Sequence, residues 1–334
     1  MLKKILFRAD GNEEIGYGHV IRSLALADML KENFECIFVT RFLNDFLENE
    51  INKVCNSYIL LSNNGNNHLT EFKNMLKGDE IVVLDNYFFT SDYQIEIRSK
   101  NVILACIDDL GDKHFVSDLI INHIDISPYN VYSMESYTKL IIGIENALLR
   151  KEFLKVKQSS LDKENSVLLA FGGVDFKNLT YKYLTVLVNS KLNVTIDVII
   201  NKKNEKFKEI LEESGNNSNV NVYYDLSANE VRSLMLRTKT AILPSSTMCI
   251  EALSSGINVI SGYCVNNQKY AYLYFMNNGF ITGIGDLNNV QKEFLIKQVE
   301  INLNKINKDN KIMDRINSSK KNYITVFKSI SNGD

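Results

Sequence analysis

The chain has 334 residues, 45% of them hydrophobic and 23% charged, and a net charge of −2. That composition is ordinary for a globular protein, the length suits two domains with separate cores, and no basic stripe offers a nucleic-acid surface. Apolar runs such as Ile81-Val82-Val83-Leu84 are strand-length, so no membrane span is expected.

Taken in order, the first half alternates apolar runs with stretches of helical period. Strands are expected at Ile5–Ala9, Cys36–Thr40, Tyr58–Leu61, Ile81–Leu84, Val102–Ile107 and Leu119–Ile121. Helices are expected at Val20–Lys31, Asn44–Asn52, Leu69–Leu76 and Asp92–Ser99. This βαβα order predicts a parallel sheet covered on both faces, with ligands at the carboxyl ends of its strands. The segment Gly143–Ser166 reads as a linker. A second cycle follows, with strands from Ser166, Val194, Val220, Thr240 and Asn258 and helices at Leu179–Val188, Glu205–Glu212, Asn229–Leu236, Cys249–Ser254 and Tyr270–Asn277. The last helical stretches, Val290–Asn304 and Met313–Ile330, have no strand partner and are free to reach back over the first domain. The expected architecture is α/β, two domains over 1–150 and 151–334.

The chemistry gathers in a few loops. Arg8-Ala9-Asp10 leads into Gly16-Tyr17-Gly18-His19, so a strand ends, a glycine loop turns and a helix begins almost at the histidine. It is neither the dinucleotide fingerprint, since Ile21 stands at the third glycine position, nor a Walker loop. A bare Gly-x-Gly-His fits an ordinary helix start about as well as a ligand loop. Asp85 and Asp109 stand at strand ends, where each taken alone is read first as a loop or helix cap. In the second half, Phe171-Gly172-Gly173 repeats the strand–glycine–helix logic. Pro244-Ser245-Ser246-Thr247 opens a helix with small hydroxyl residues, a ready phosphate seat. Glu251 follows one turn later; Met248 three residues before it rules out a capping box, which leaves its carboxylate for a ribose diol. Asn267 either faces a ligand or caps the helix after it.

Five scattered cysteines without a C-x-x-C pair read as reduced, buried thiols, and four histidines show no metal-ligand spacing. The N-terminus lacks the apolar stretch and cleavage site of a signal peptide. The expectation is a cytoplasmic, monomeric protein with no metal and no cofactor.

Together these loops resemble the GT-B superfamily of nucleotide-sugar enzymes, built from two Rossmann-like doubly wound domains facing across a cleft. More narrowly, they resemble the UDP-sugar hydrolases of pseudaminic acid biosynthesis. The matching pieces are Arg8-x-Asp10, Gly16-x-Gly18-His19-x-x-Arg22, Asp85-x-Tyr87, Ile107-Asp108-Asp109, Ala147-Leu148-Leu149-Arg150-x-Glu152-Phe153, Gly172-Gly173-x-Asp175-x-x-Asn178, Ser245-Ser246 with Glu251-Ala252, and Asn267-Gln268. Val174 departs from the pattern where a hydroxyl residue is expected. The resemblance implies hydrolysis of a UDP-2,4-diacetamido-2,4,6-trideoxyhexose by water attacking C1 with inversion, with attack at phosphorus as the rival path. It implies His19 as general base, Asp10 and Tyr87 as its catalytic companions, and substrate contacts at Gly16, Gly18, Arg150, Gly173, Ser246, Thr247, Glu251 and Asn267. A GT-B glycosyltransferase using the same donor is the alternative. A sensor that binds the nucleotide sugar without turnover would need neither His19, Asp10 nor Tyr87.

Overall fold

The computed structural model describes residues 2–12, 14–64, 67–154, 163–172, 175, 177–305 and 311–333. They divide into two compact units, Met1–Lys151 with Arg315–Asp334, and Glu152–Asp314.

The first unit runs β1 (Lys4–Ala9), α1 (Gly18–Leu30), β2 (Glu35–Thr40), α2 (Asp45–Asn52), β3 (Ser57–Leu60), α3 (Asn67–Met75), β4 (Ile81–Asp85), α4 (Ser91–Arg98), β5 (Ile103–Ile107), β6 (His114–Phe115), β7 (Leu119–Asn122), β8 (Ser133–Met134) and β9 (Lys139–Ile142). Seven strands make one parallel sheet in the order β3-β2-β1-β4-β5-β7-β9. Its central strands are continuous apolar runs because both faces are covered: Ile5, Phe7, Ile81, Val82 and Val83 are fully buried. The strand order reverses between β1 and β4, so the loops leaving those two strands diverge and open a crevice at their carboxyl ends.

The second unit runs β10 (Glu164–Leu169), α5 (Leu179–Val188), β11 (Thr195–Ile199), α6 (Phe207–Asn216), β12 (Val220–Tyr223), α7 (Ala228–Arg237), β13 (Thr238–Pro244), α8 (Thr247–Ser254), β14 (Asn258–Tyr263), α9 (Lys269–Asn277), β15 (Thr282–Asp286) and α10 (Lys292–Asn304). Its parallel sheet has the order β12-β11-β10-β13-β14-β15, with the reversal between β10 and β13. At the entry to β10, the Lys163 ammonium donates to the carbonyls of Met235, Leu236, Thr238 and Ser255 at 3.0–3.2 Å. It neutralises the negative carbonyl ends of α7 and α8 where they converge.

The chain ends in α11 (Lys311–Asn317) and α12 (Ser319–Asn332). In the first unit, α12 packs on α1 and on the 3-10 turn Ile144–Asn146. Tyr323 donates to the Asn146 carbonyl at 2.5 Å, and Phe327 meets Phe34 edge-on. Burying two such rings is worth roughly 1.5–3 kcal/mol each.

Several expectations need correction. Val290–Asn304 does not reach back: α10 packs on β13 and β14 of its own unit. It covers a sheet that includes β15, an edge strand hidden by its glycines, Gly283 and Gly285. Strand β9 was also missed, inside what polar flanks disguise as loop. The first part of the supposed linker is packed core, with Ala147, Leu148, Leu149 and Phe153 all buried. Its later part, 155–162, lies outside the described residues.

Candidate active site

In the first unit, the residues that matter converge on the strand reversal. Gly16 adopts φ +84°, a left-handed turn that a side chain would strain, and so lets the loop after β1 close on Asn12 before α1 starts. No side chain caps the N-terminus of α1. His19 is the second residue of that helix, and Arg22 lies three residues on, on the same helix face.

Both reach Asp85, the last residue of β4. His19 Nδ1 lies 2.7 Å from Asp85 Oδ1. Arg22 donates bidentately to the same carboxylate, Nη2 to Oδ1 at 2.6 Å and Nε to Oδ2 at 2.8 Å, and Ser23 Oγ adds a bond at 3.1 Å. Burial alone would raise this carboxyl; the Arg22 charge and the hydrogen bonds from Arg22 and His19 overcome it and hold it at about 2. The Arg22 guanidinium, in turn desolvated but facing two carboxylates, is raised well above its usual value.

This network assigns the imidazole tautomer. An ionised Asp85 can only accept, so Nδ1 carries the proton and points it at Oδ1. Arg22 Nη2 also approaches Nδ1, at 3.1 Å, but its proton is directed to the carboxylate. Nε2 is therefore a lone pair, and it has no hydrogen-bond partner among the described residues. The side chain is 11% exposed.

A second arm closes the constellation. Arg22 Nη1 donates to Asp109 Oδ2 at 2.9 Å, and the Tyr87 hydroxyl donates to the same oxygen at 3.2 Å. The Tyr87 ring stands edge-on to the His19 ring, centroids 4.7 Å apart. Contacts thus run from His19 through Asp85, Arg22, Asp109 and Tyr87 back to His19. Two carboxylates, Asp85 and Asp109, thus face the one Arg22 guanidinium beside the imidazole. Below them His123 is buried, and desolvation with the nearby Arg22 charge pushes it down to about 4.

In the second unit, the corresponding reversal carries Gly172, at φ +88° after β10, and Ser246-Thr247 after β13. Ser246 is the N-cap of α8 without a side-chain capping bond, and no acidic residue stands in the first turn. Neither hydroxyl has a partner among the described residues; the Ser246 and Cys249 N–H groups bond the Pro244 and Ser246 carbonyls, which leaves those of Thr247 and Met248 to the helix end. Ser245 is buried against Ser261 at 2.9 Å. Glu251 is buried one turn into α8. Asn267 sits in the 3-10 turn Asn266–Gln268 after β14 and does not cap α9, whose N-cap is Gln268.

Comparison with known proteins adds an independent view. No protein-family model matches the chain. It is 27% identical over 283 residues, 80% of its length, to an uncharacterised protein of Methanocaldococcus jannaschii, of which it spans 57%. It is 24% identical over 290 residues to the UDP-2,4-diacetamido-2,4,6-trideoxy-beta-L-altropyranose hydrolase of Campylobacter jejuni, covering 83% of this chain and 97% of that protein. Among solved structures, S. aureus MnaA with UDP superposes with a TM-score of 0.66 at 13% identity, over 99% of this chain and 97% of that one. The fold is GT-B-like.

Of the expected site residues, His19 and Tyr87 touch in the first unit, with Gly16 just before α1 and Gly18 at its start; in the second unit Thr247 and Glu251 lie on α8, Ser246 at its N-cap and Asn267 in the turn after β14. Arg150 stands just before the 3-10 turn Lys151–Phe153. Gly173, like Val174, lies outside the described residues.

Asp10 requires correction. It is fully buried and makes no contact with His19; its carboxylate is occupied by Arg8, Arg41 and Thr40. The companion of His19 is Asp85, which together with Asp109 anchors Arg22, whereas the loop-capping role falls to Asp108, whose Oδ2 accepts from the Leu110 and Gly111 N–H groups. The i, i+3 spacing of His19 and Arg22 was the one sequence signal that pointed to a shared acidic partner.

Proposed function

We propose that the protein hydrolyses a UDP-linked 2,4-diacetamido-2,4,6-trideoxyhexose to UDP and the free sugar, using His19 as general base. The observation that carries this reading is the His19–Asp85 pair at the strand reversal, with Nδ1–H held by an ionised carboxylate and Nε2 bare. A neutral imidazole so oriented can take a proton from water as the oxygen attacks the anomeric carbon. Asp85 and Asp109 then stabilise the imidazolium. The departing diphosphate is matched by the uncapped N-terminus of α8 with Ser246 and Thr247, and Glu251 is assigned to the ribose hydroxyls. The Campylobacter relative, named as a hydrolase of such a sugar nucleotide, supports the substrate class.

The test supplies the UDP-diacetamido sugar with no acceptor, in water enriched in oxygen-18. Expected are UDP release, loss of that release in His19→Ala, label in the sugar rather than in UDP, and an inverted anomer when first released. Label in UDP would place the attack at phosphorus. Release only on addition of an acceptor would make the protein a glycosyltransferase.

A further inference from the structure

The Asp10 cluster holds more positive charge than it neutralises. Arg8, fully buried, grips the carboxylate bidentately at 2.6 and 2.8 Å. Arg41 adds its backbone N–H at 2.8 Å and its Nε at 2.7 Å, and Thr40 Oγ1 adds a bond at 3.2 Å. Two guanidiniums therefore share one carboxylate whose lone pairs are all engaged. Arg8 is sealed beneath Phe88 and Phe89, whereas the Arg41 side chain is 18% exposed.

Arg41 is held rigid yet unfinished. Its Nε is fixed on Asp10, and its guanidinium lies against the rings of Phe88, 4.9 Å away, and Phe42, 5.2 Å away. Its Nη1 and Nη2 make no hydrogen bond among the described residues. A pre-oriented guanidinium fork loses little entropy when it binds an oxygen, which sets it apart from a freely solvated surface arginine.

Its position relates it to His19. Consecutive residues of the loop after β4 face the two groups: the Tyr87 ring packs on His19 and the Phe88 ring on Arg41. β2, which leads into Arg41, and β4 flank β1 on opposite sides. The histidine and the arginine thus each pack on one ring of the dipeptide Tyr87-Phe88.

We propose that Arg41 is a substrate contact whose terminal nitrogens take the carbonyl oxygen of an acetamido group on the sugar, with Asp10 and Arg8 as its positioning base. This rests on the sugar-nucleotide reading above. Phe42 and Phe88 beside those nitrogens offer apolar contact to the acetyl methyl, which a hydrated phosphate would not use; the phosphate seat is the α8 terminus of the other unit.

The experiment measures binding by calorimetry in a His19→Ala parent, so that the ligand survives. The probes are UDP and the UDP-diacetamido sugar, with Arg41→Met and Arg41→Lys added to the parent and folding checked by thermal unfolding. Expected for Arg41→Met is at least tenfold weaker binding of the sugar nucleotide with UDP affinity unchanged, and for Arg41→Lys a smaller loss, because charge remains while the fork is gone. Unchanged affinity for the sugar nucleotide in either variant, equal weakening of UDP, or a parent that does not bind the sugar nucleotide overturns the assignment. Should Arg41→Met fail to fold, Arg41→Lys alone decides. Failure of the hydrolase reading shows separately, as no UDP release by the unsubstituted protein, and leaves the binding comparison intact.

Discussion

His19 and Asp85 are 66 positions apart in sequence, and their Nδ1 and Oδ1 atoms are 2.7 Å apart. The pair exists because β4, which ends in Asp85, is hydrogen-bonded beside β1, whose following loop delivers the histidine. A carboxylate held at about 2 keeps its charge at any working pH, so it fixes one tautomer, with the proton on Nδ1 and the lone pair on Nε2.

Asp85→Asn keeps the shape and removes the charge. The amide can present its NH₂ to Nδ1 and stabilise the other tautomer, with the proton on Nε2. Turnover of the UDP-diacetamido sugar should fall about 10²–10⁴-fold with KM changed far less, since ground-state contacts are untouched. Steady-state UDP release at saturating substrate measures it; a loss carried wholly by KM would contradict the orienting role.

Tyr87 is exposed and touches His19 with its ring edge, while its hydroxyl bonds Asp109. Tyr87→Phe keeps the wall and loses one hydrogen bond, and about tenfold or less of kcat is expected to go. Tyr87→Ala removes the wall, and a clearly larger loss is expected. Kinetics of both variants side by side separate hydroxyl from ring, and equal losses would give the effect to the hydroxyl alone.

His123 makes the first unit acid-sensitive. Burial holds the folded group at about 4 against 6.5 for the free side chain, so between those values the unfolded chain binds the extra proton. Stability from this residue is complete above pH ~6.5 and is lost as pH falls towards 4, to a total of about 3 kcal/mol. Urea unfolding at pH 7 and pH 5 should show the wild type weakened at the lower value and His123→Gln weakened less. A pH dependence that His123→Gln leaves unchanged would exclude this source.

Lys163 serves four carbonyls at the convergence of α7 and α8. Lys163→Met keeps the aliphatic stem and strands those carbonyls, which should cost about 2–4 kcal/mol. Chemical denaturation followed by circular dichroism gives the figure, and a midpoint within error of the wild type would refute it.

The sequence by itself determined the alternation of apolar runs and helical periods, because a strand buried on both faces must be apolar throughout and a covering helix must carry a stripe. It also located both glycine loops and the helix start beside His19, since those features depend only on neighbours a few residues away. It pointed to Asp10 as the companion of the imidazole and read Asp85 as a cap, whereas the structure pairs His19 with Asp85. Both carboxylates end strands, and which one meets His19 depends on strand order: β2 on one side of β1 brings Arg41 to Asp10, and β4 on the other brings Asp85 to His19. Order within a parallel sheet is set by how helices and crossovers pack over the whole unit, so only the tertiary structure decided which charges became neighbours.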